Sequence, residues 1–396
     1  MALRILHIAP YGPEAWAYGG IPRVVAGMTD GLARRGHAVT LATTDACDGS
    51  SRLEGGPSAA VTRRVFRNLS NRAAYRFQAF TPMGFRRFLD RDVEQFDVVH
   101  LHACHNLLTV LGAGACARAG LPFVLSPNGT APIIERRRLL KRVFGVVFAD
   151  RALQQAARIA AVSQAEARQL EALGVPPSRV VQVPNPVELP DSPLPRRGGF
   201  FDVLLGHTTR PRVLFLGKIT PRKQLGTVVD ALARLHVPDV HLLVAGNDLG
   251  GMAGALSRAR ALGVASRVHA VGLLRGADRL AAMADADLVV YPGRDEVFGL
   301  VACEALAVGT PVIVGADSGC GEIVRAVGGG LCVEPGNSAA LAAAVHDILA
   351  AGAQWDAAAA AAALTVRERF DAPIVSAQLE SLYESCLAPT STQVPA

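Results

Sequence analysis

Short apolar runs alternate with longer helical stretches along nearly the whole chain, and that alternation limits the fold more than any other feature. In the first half the runs are Leu3–Ile8, Val39–Ala42, Val98–Leu101, Phe123–Leu125, Ile159–Val162 and Val180–Val183. In the second half they are Val213–Leu216, His241–Ala245, Val268–Val271, Leu288–Tyr291, Pro311–Val314 and Leu331–Val333. Runs this continuously apolar suit strands buried on both faces, and spacers of helical length suit crossovers, so each half predicts βαβ units wound into a parallel sheet. Between the halves, Pro184–Pro211 is rich in Pro and Gly and follows neither period, the mark of a linker.

A chain of 396 residues is too long for one ordinary core and divides naturally into domains of about 200 residues. The predicted layout is an N-terminal domain over 1–185, a linker over 186–210 and a second domain over 211–365. A crossover helix follows over 366–388, then a disordered tail over 389–396. Half the residues are hydrophobic, 19% are charged and the mean hydropathy is +0.28, which excludes wholesale disorder. No apolar run approaches the roughly 20 residues that span a bilayer. The N-terminal run is broken by His7 and Pro10 and reads as a first strand, not a signal peptide. Seven scattered cysteines with no CxxC pair read as core thiols of a reducing compartment, so the expected location is cytoplasmic. Residues 1–190 carry 23 Lys and Arg against 14 Asp and Glu, a basic half that suits an anionic acceptor or membrane surface. A solvated Arg-rich surface would read the same way.

Ligands of doubly wound domains sit beyond the carboxyl ends of the strands, so the loops there are where chemistry is expected. The first such loop holds Tyr18-Gly19-Gly20-Ile21-Pro22. Paired glycines admit a bulky ligand to the backbone, and the helix that follows offers free N–H groups to an anion. It is not GxGxxG, so the dinucleotide fingerprint is absent. The second loop, after Val213–Leu216, places Lys218, Arg222 and Lys223 within six residues, three cations suited to a diphosphate. The third segment runs Asp295-Glu296-Val297-Phe298-Gly299-Leu300-Val301-Ala302-Cys303-Glu304. Glu304 falls inside an apolar helical run, where a carboxylate needs donors. A ribose diol would supply two, and an internal arginine such as Arg325 is the other reading. The helix start near Phe298, Gly299 and Leu300 offers N–H groups to a phosphate, and Glu296 can accept from sugar hydroxyls. His100, His102 and His105 have no accompanying carboxylate or cysteine and predict no metal site; His102 is expected to line the ligand cleft and His100 to pack behind it.

Over nearly its full length the sequence resembles the family 4 retaining glycosyltransferases of the GT-B fold. The matching segments are Gly19-Gly20, Phe96–His102, Ile159–Ser163, Pro184–Val187, Leu214–Lys223, Leu242–Gly246 and the Glu296-x7-Glu304 segment with Gly309-Thr310-Pro311-Val312. The resemblance implies two Rossmann-like domains facing a cleft, with the C-terminal helix packing back on the N-terminal domain. It implies sugar transfer from a nucleotide diphosphate sugar with retention of configuration and no metal or other cofactor. Lys218 and Lys223 would hold the diphosphate, Glu304 the ribose and Glu296 the sugar, with Gly19-Gly20 closing over the phosphates.

The sequence departs from the family where Lys218 replaces Arg, Gln224 replaces Gly and Val297 replaces Gly. Asn128 stands where His or Arg is common; it cannot exchange a proton and would act by hydrogen bonding. The expected acceptor is a saccharide or a lipid-linked one, with no nucleic-acid partner. Arg136–Arg142, cations flanking apolar residues, is a candidate contact with an anionic membrane. A nucleotide-sugar epimerase or phosphorylase on the same scaffold, and a non-catalytic nucleotide-sugar binder, are the alternatives.

Overall fold

The computed structural model describes residues 1–53, 60–131, 150–190, 192, 194, 196–206, 210–237 and 239–388. The chain forms two compact units. Unit 1 is Met1–Pro186 together with the chain from Ala372 onward, and unit 2 is Val187–Asp371. Arg136–Arg142 and the tail 389–396 lie outside the described residues.

Unit 1 holds a seven-stranded parallel sheet: β1 Arg4–Ile8, β2 Ala38–Thr44, β3 Thr62–Phe66, β4 Val98–His102, β5 Phe123–Ser126, β6 Arg158–Ala161 and β7 Val180–Gln182. The order is β3-β2-β1-β4-β5-β6-β7. Unit 2 holds six: β8 Arg212–Leu216, β9 His241–Ala245, β10 Val268–Gly272, β11 Leu288–Tyr291, β12 Val312–Gly315 and β13 Gly330–Val333. Their order, β10-β9-β8-β11-β12-β13, repeats the doubly wound plan. Both sheets reverse direction once, between β1 and β4 in unit 1 and between β8 and β11 in unit 2. The β1, β4, β8 and β11 side chains are almost all buried, as strands covered by helices on both faces must be.

Twelve of the strands follow the apolar runs, and β3 is the addition. Thr62-Arg63-Arg64-Val65-Phe66 sits on the sheet edge with one face wet, so it carries no continuous apolar run. The linker is also less irregular than expected: Phe200–Leu205 forms a short helix that buries Phe201. The predicted crossover helix over 366–388 is two helices, Gly352–Phe370 and Ala372–Leu387, separated at Asp371.

The last helix packs on Ile21–Arg34 of unit 1, where Gly31 leaves room for Ser376. It is anchored in the sheet by a fully buried polar group. His7 of β1 and His100 of β4 are register partners. Tyr383 Oη lies 2.6 Å from His100 Nδ1 and 3.4 Å from His7 Nε2. His100 Nε2 pairs with Ser126 Oγ at 2.7 Å, and His7 Nδ1 pairs with His102 Nε2 at 2.9 Å. Burial pushes all three imidazoles down, His102 to about 3, with the neighbouring rings adding to the effect on His7 and His100.

Neutral buried histidines tie stability to pH. Their folded values lie below the ordinary 6.5, so the stability they carry is present above that value and is lost as pH falls and the unfolded chain takes up protons. Glu166 opposes them: burial raises its carboxyl to about 7, which favours the fold as pH falls from there to about 4.5. Three protons outweigh one, and between pH 7.5 and 5.5 unit 1 is expected to lose about 2 kcal/mol. Thermal unfolding across that range checks this, and His100→Gln should flatten the slope; a flat wild-type profile would contradict the burial.

Candidate active site

The loop after β8 is pinned to the loop after β9 by two backbone bonds, Gly217 N to Ala245 O at 3.0 Å and Ile219 N to Asn247 O at 2.9 Å. It presents Lys218, then turns through Pro221–Lys223 into the helix Leu225–Arg234. Gln224, at φ 62°, holds a left-handed turn, a conformation that glycine adopts without steric cost. Its side chain braces the turn by donating to Pro221 O at 3.0 Å and accepting from Thr227 Oγ1 at 3.0 Å.

Lys223 is buried, and its ammonium donates to Glu296 Oε1 at 2.7 Å and to the hydroxyl of Tyr291, the last residue of β11. Tyr291 donates in turn to Glu296 Oε2 at 3.0 Å, and Arg222 lies 3.5 Å from Oε1. Burial alone would raise the Glu296 carboxyl, but Lys223 and Arg222 beside it hold it below the usual range. Burial lowers Lys223, and the same carboxylate opposes that shift. Gly293 makes this possible, since a Cβ there would stand 3.0 Å from Glu296 Cγ. Asp295, at φ 54°, turns the chain, and Cys320 N donates to Glu296 O at 2.8 Å, fixing the loop on the helix Gly319–Val327.

The helix expected near Phe298 begins at Leu300, with Gly299 at φ 76° as its cap and no side chain capping its first N–H groups. Glycine is required there, because a Cβ would fall 2.2 Å from Cys320 Sγ. Phe298 turns inward onto Phe370 with ring centroids 5.4 Å apart, so its side chain supports the loop from behind. Glu304 is buried in this helix and bonded to Arg279 Nη1. The internal arginine is therefore Arg279 and not Arg325, which donates to Ala316 O. Arg279 also reaches Glu188 Oε2 at 2.7 Å.

In unit 1, Gly19 at φ 93° and Gly20 open the helix Ile21–Arg34, which again has no side-chain cap. His102 was expected beside the ligand. β4 extends through it, and the ring is fully buried, stacked on His100 at 4.3 Å. Among the described residues His7, His100 and His102 are the one group of possible ligands tight enough for a metal ion. Their rings stack, and both His100 nitrogens and both His7 nitrogens face partners within the group or on Ser126 and Tyr383, so the donor set fits a hydrogen-bond network better than an ion. Asn128 follows β5 at φ 51°, with Oδ1 buried and unpartnered. Its loop is held by Glu166, which accepts from Gly129 N at 2.5 Å and Val162 N at 2.9 Å.

The structure thus joins Arg222, Lys223 and Glu296 at the point where the unit 2 sheet reverses, with Lys218 on the same loop, and sets Glu304 apart with Arg279. Tyr291, Arg279 and Glu166 are the additions. One signal for the Lys218–Lys223 loop was present in the composition. The chain has three lysines, Lys141, Lys218 and Lys223, and otherwise uses Arg for its basic side chains, so two of three fall in this one turn.

Residues 18–190 match the model described as Glycosyltransferase Family 4, and residues 200–363 match Glycosyl transferases group 1. The phosphatidyl-myo-inositol mannosyltransferase of Mycobacterium leprae is 32% identical over 295 residues, covering 73% of this chain and 74% of that protein. This chain is a family 4 glycosyltransferase. The Mycobacterium tuberculosis protein of the same name is 28% identical over 399 residues, covering 97% of each chain. In fold, the glycosyltransferase is similar to Anabaena HepE, solved in complex with UDP-glucose, at a TM-score of 0.75 and 20% identity over 97% of this chain and 100% of that one.

The Arg279 pairing carries a stability consequence. Glu304→Ala leaves a buried guanidinium with Glu188 as its remaining carboxylate partner among the bonds described above. The expected loss is near the lower end of about 3–5 kcal/mol, measured by chemical denaturation. Glu304→Gln, which keeps the shape and one acceptor, should lose less than half as much. Equal stability of wild type and Glu304→Ala would mean that the pair does not hold unit 2 together.

Proposed function

We propose that this glycosyltransferase moves a sugar, with retention of configuration, from a nucleotide diphosphate sugar to an acceptor hydroxyl without a metal. The observation that carries the reading is the Lys223–Glu296 pair with Arg222, at the reversal point of the unit 2 sheet. Ligands of doubly wound sheets bind there, and the group combines cations for a diphosphate with a carboxylate for sugar hydroxyls. Lys218, Lys223 and Arg222 would stabilise charge on the leaving diphosphate, assisted by the uncapped N-terminus of Leu300–Ala307 through Gly299 and Leu300. Glu296 would accept from the transferred sugar and Glu304 from the ribose, exchanging part of its bond to Arg279. On unit 1, Gly19 and Gly20 would offer backbone N–H groups, and Asn128 its amide, to a bound acceptor.

The acceptor is proposed to be lipid-linked, on the similarity to mannosyltransferases named for phosphatidyl-myo-inositol. A described surface of unit 1 fits a peripheral site on an anionic membrane. Between Glu54 and Asp90 the chain has seven arginines and no acid. Leu69 N donates to Thr81 O and Met83 N to Arg67 O around the buried Asn68, so Arg67, Leu69 and Met83 share the outer face of this ladder. Phe77, Arg72 and Arg76 are exposed on the adjoining helix Asn71–Phe77. No helix among the described residues is long and apolar enough to cross a membrane.

Two measurements test these statements. Incubation with UDP-glucose or GDP-mannose and an inositol lipid should release nucleoside diphosphate only when acceptor is present. The product should keep the donor's anomeric configuration and be unaffected by EDTA. Free epimerised sugar, phosphate-dependent cleavage or binding without turnover would each replace the reading by one of its alternatives. Vesicles of phosphatidylcholine with phosphatidylglycerol should pellet the protein more than phosphatidylcholine alone, and Arg72→Glu with Arg76→Glu should abolish the difference.

A further inference from the structure

The centre of the proposed donor site contains one residue that the reading does not use. Tyr291 ends β11, and its ring lies against Gly217 at the end of β8, where a Cβ would stand 3.4 Å from Tyr291 Cε2. Its hydroxyl is a through-connection. It accepts from the Lys223 ammonium and donates to Glu296 Oε2 at 3.0 Å, while Lys223 also reaches Glu296 Oε1 at 2.7 Å. The same ammonium sits 4.4 Å from the Tyr291 ring centroid. Each Glu296 oxygen thus has its own donor, and the two donors are bonded to each other. Burial raises the phenol, so it stays protonated and can keep donating.

This arrangement matters because Lys223 has two duties in the proposed reaction. A diphosphate that engages Lys223 and Arg222 competes with Glu296 for both cations beside Oε1. A carboxylate released from its cation in a buried site would rotate or take up a proton, and either change removes it as an acceptor for sugar hydroxyls. A second, uncharged donor on the other oxygen prevents that without competing for the phosphate.

Resting on the donor reading above, we infer that Tyr291 is a positioning residue that keeps Glu296 aimed at the transferred sugar when the diphosphate draws on Lys223. Its contribution is therefore to recognition of the sugar and not of the nucleotide.

The test compares two ligands on two proteins. Affinities for UDP and UDP-glucose, and for GDP and GDP-mannose, are measured by titration calorimetry on wild type and Tyr291→Phe. The variant keeps the ring, its packing on Gly217 and its contact with the ammonium, and loses only the hydroxyl. For whichever pair binds, Tyr291→Phe should weaken the nucleotide sugar roughly tenfold, the cost of one hydrogen bond to a charged group, and the bare nucleotide less than threefold. The unchanged nucleotide affinity also reports that the variant is folded. An equal loss for both ligands, or no loss for either, overturns the inference while leaving the donor site standing. Wild-type protein that binds neither pair overturns the donor reading and this inference with it.

Discussion

The buried ion pair between Lys223 and Glu296 is the constraint on which the unit 2 site depends. Taking both charges out of water costs several kcal/mol per ion, and a buried pair seldom returns more than it costs. Its position is not one that folding alone would choose. It joins the loop after β8 to the loop after β11, across the only reversal in the sheet, and most features around it serve to keep it formed. Gly293 clears space for the carboxylate, Asp295 accepts a left-handed backbone, and Cys320 clamps the loop from the next helix. That combination, at the carboxyl ends of parallel strands, is what supports the proposed donor site.

Unit 1 solves a different problem. Its last helix arrives from the far end of the chain and must be held on a sheet built from the first 186 residues. A purely apolar contact would allow it to slide by a turn; the bonds of Tyr383 to His100 and His7 specify one register. All polar groups in that network are neutral at ordinary pH, which avoids the cost of burying charge and makes the anchor sensitive to acid. Glu166 plays a similar local part, holding Gly129 and Val162 so that Asn128 stands at the end of β5.

The strands were legible because burial on both faces leaves continuous apolar runs, and the parallel order follows from the helices between them. β3 was not, since an edge strand with a wet face can be written Thr-Arg-Arg-Val-Phe. The helix Phe200–Leu205 is too short to show a period. At the site, spacing placed Lys223 and Glu296 on loops after strands but could not show that they touch. The partner of Glu304 could not be chosen from sequence either, because an arginine 21 residues downstream and one 25 residues upstream look alike until the helices pack. His102 was expected to line a cleft, whereas β4 runs one residue past the apolar run and the ring is buried in the interior. Tyr291 was read as the apolar end of a strand, and only its hydroxyl's surroundings give it a role.

The proposed contact between the Lys223 ammonium and the donor diphosphate is directly observable, because the chain has so few lysines. With three lysines in 396 residues, a nitrogen-15 spectrum of the side-chain ammonium groups holds at most three signals, and Lys223→Gln assigns the buried one. Titration of wild type with the nucleoside diphosphate it binds should move that signal as the ammonium exchanges part of its bond to Glu296 for phosphate oxygen. A Lys223 signal that stays fixed while the nucleotide saturates the protein would place the diphosphate elsewhere and contradict the account.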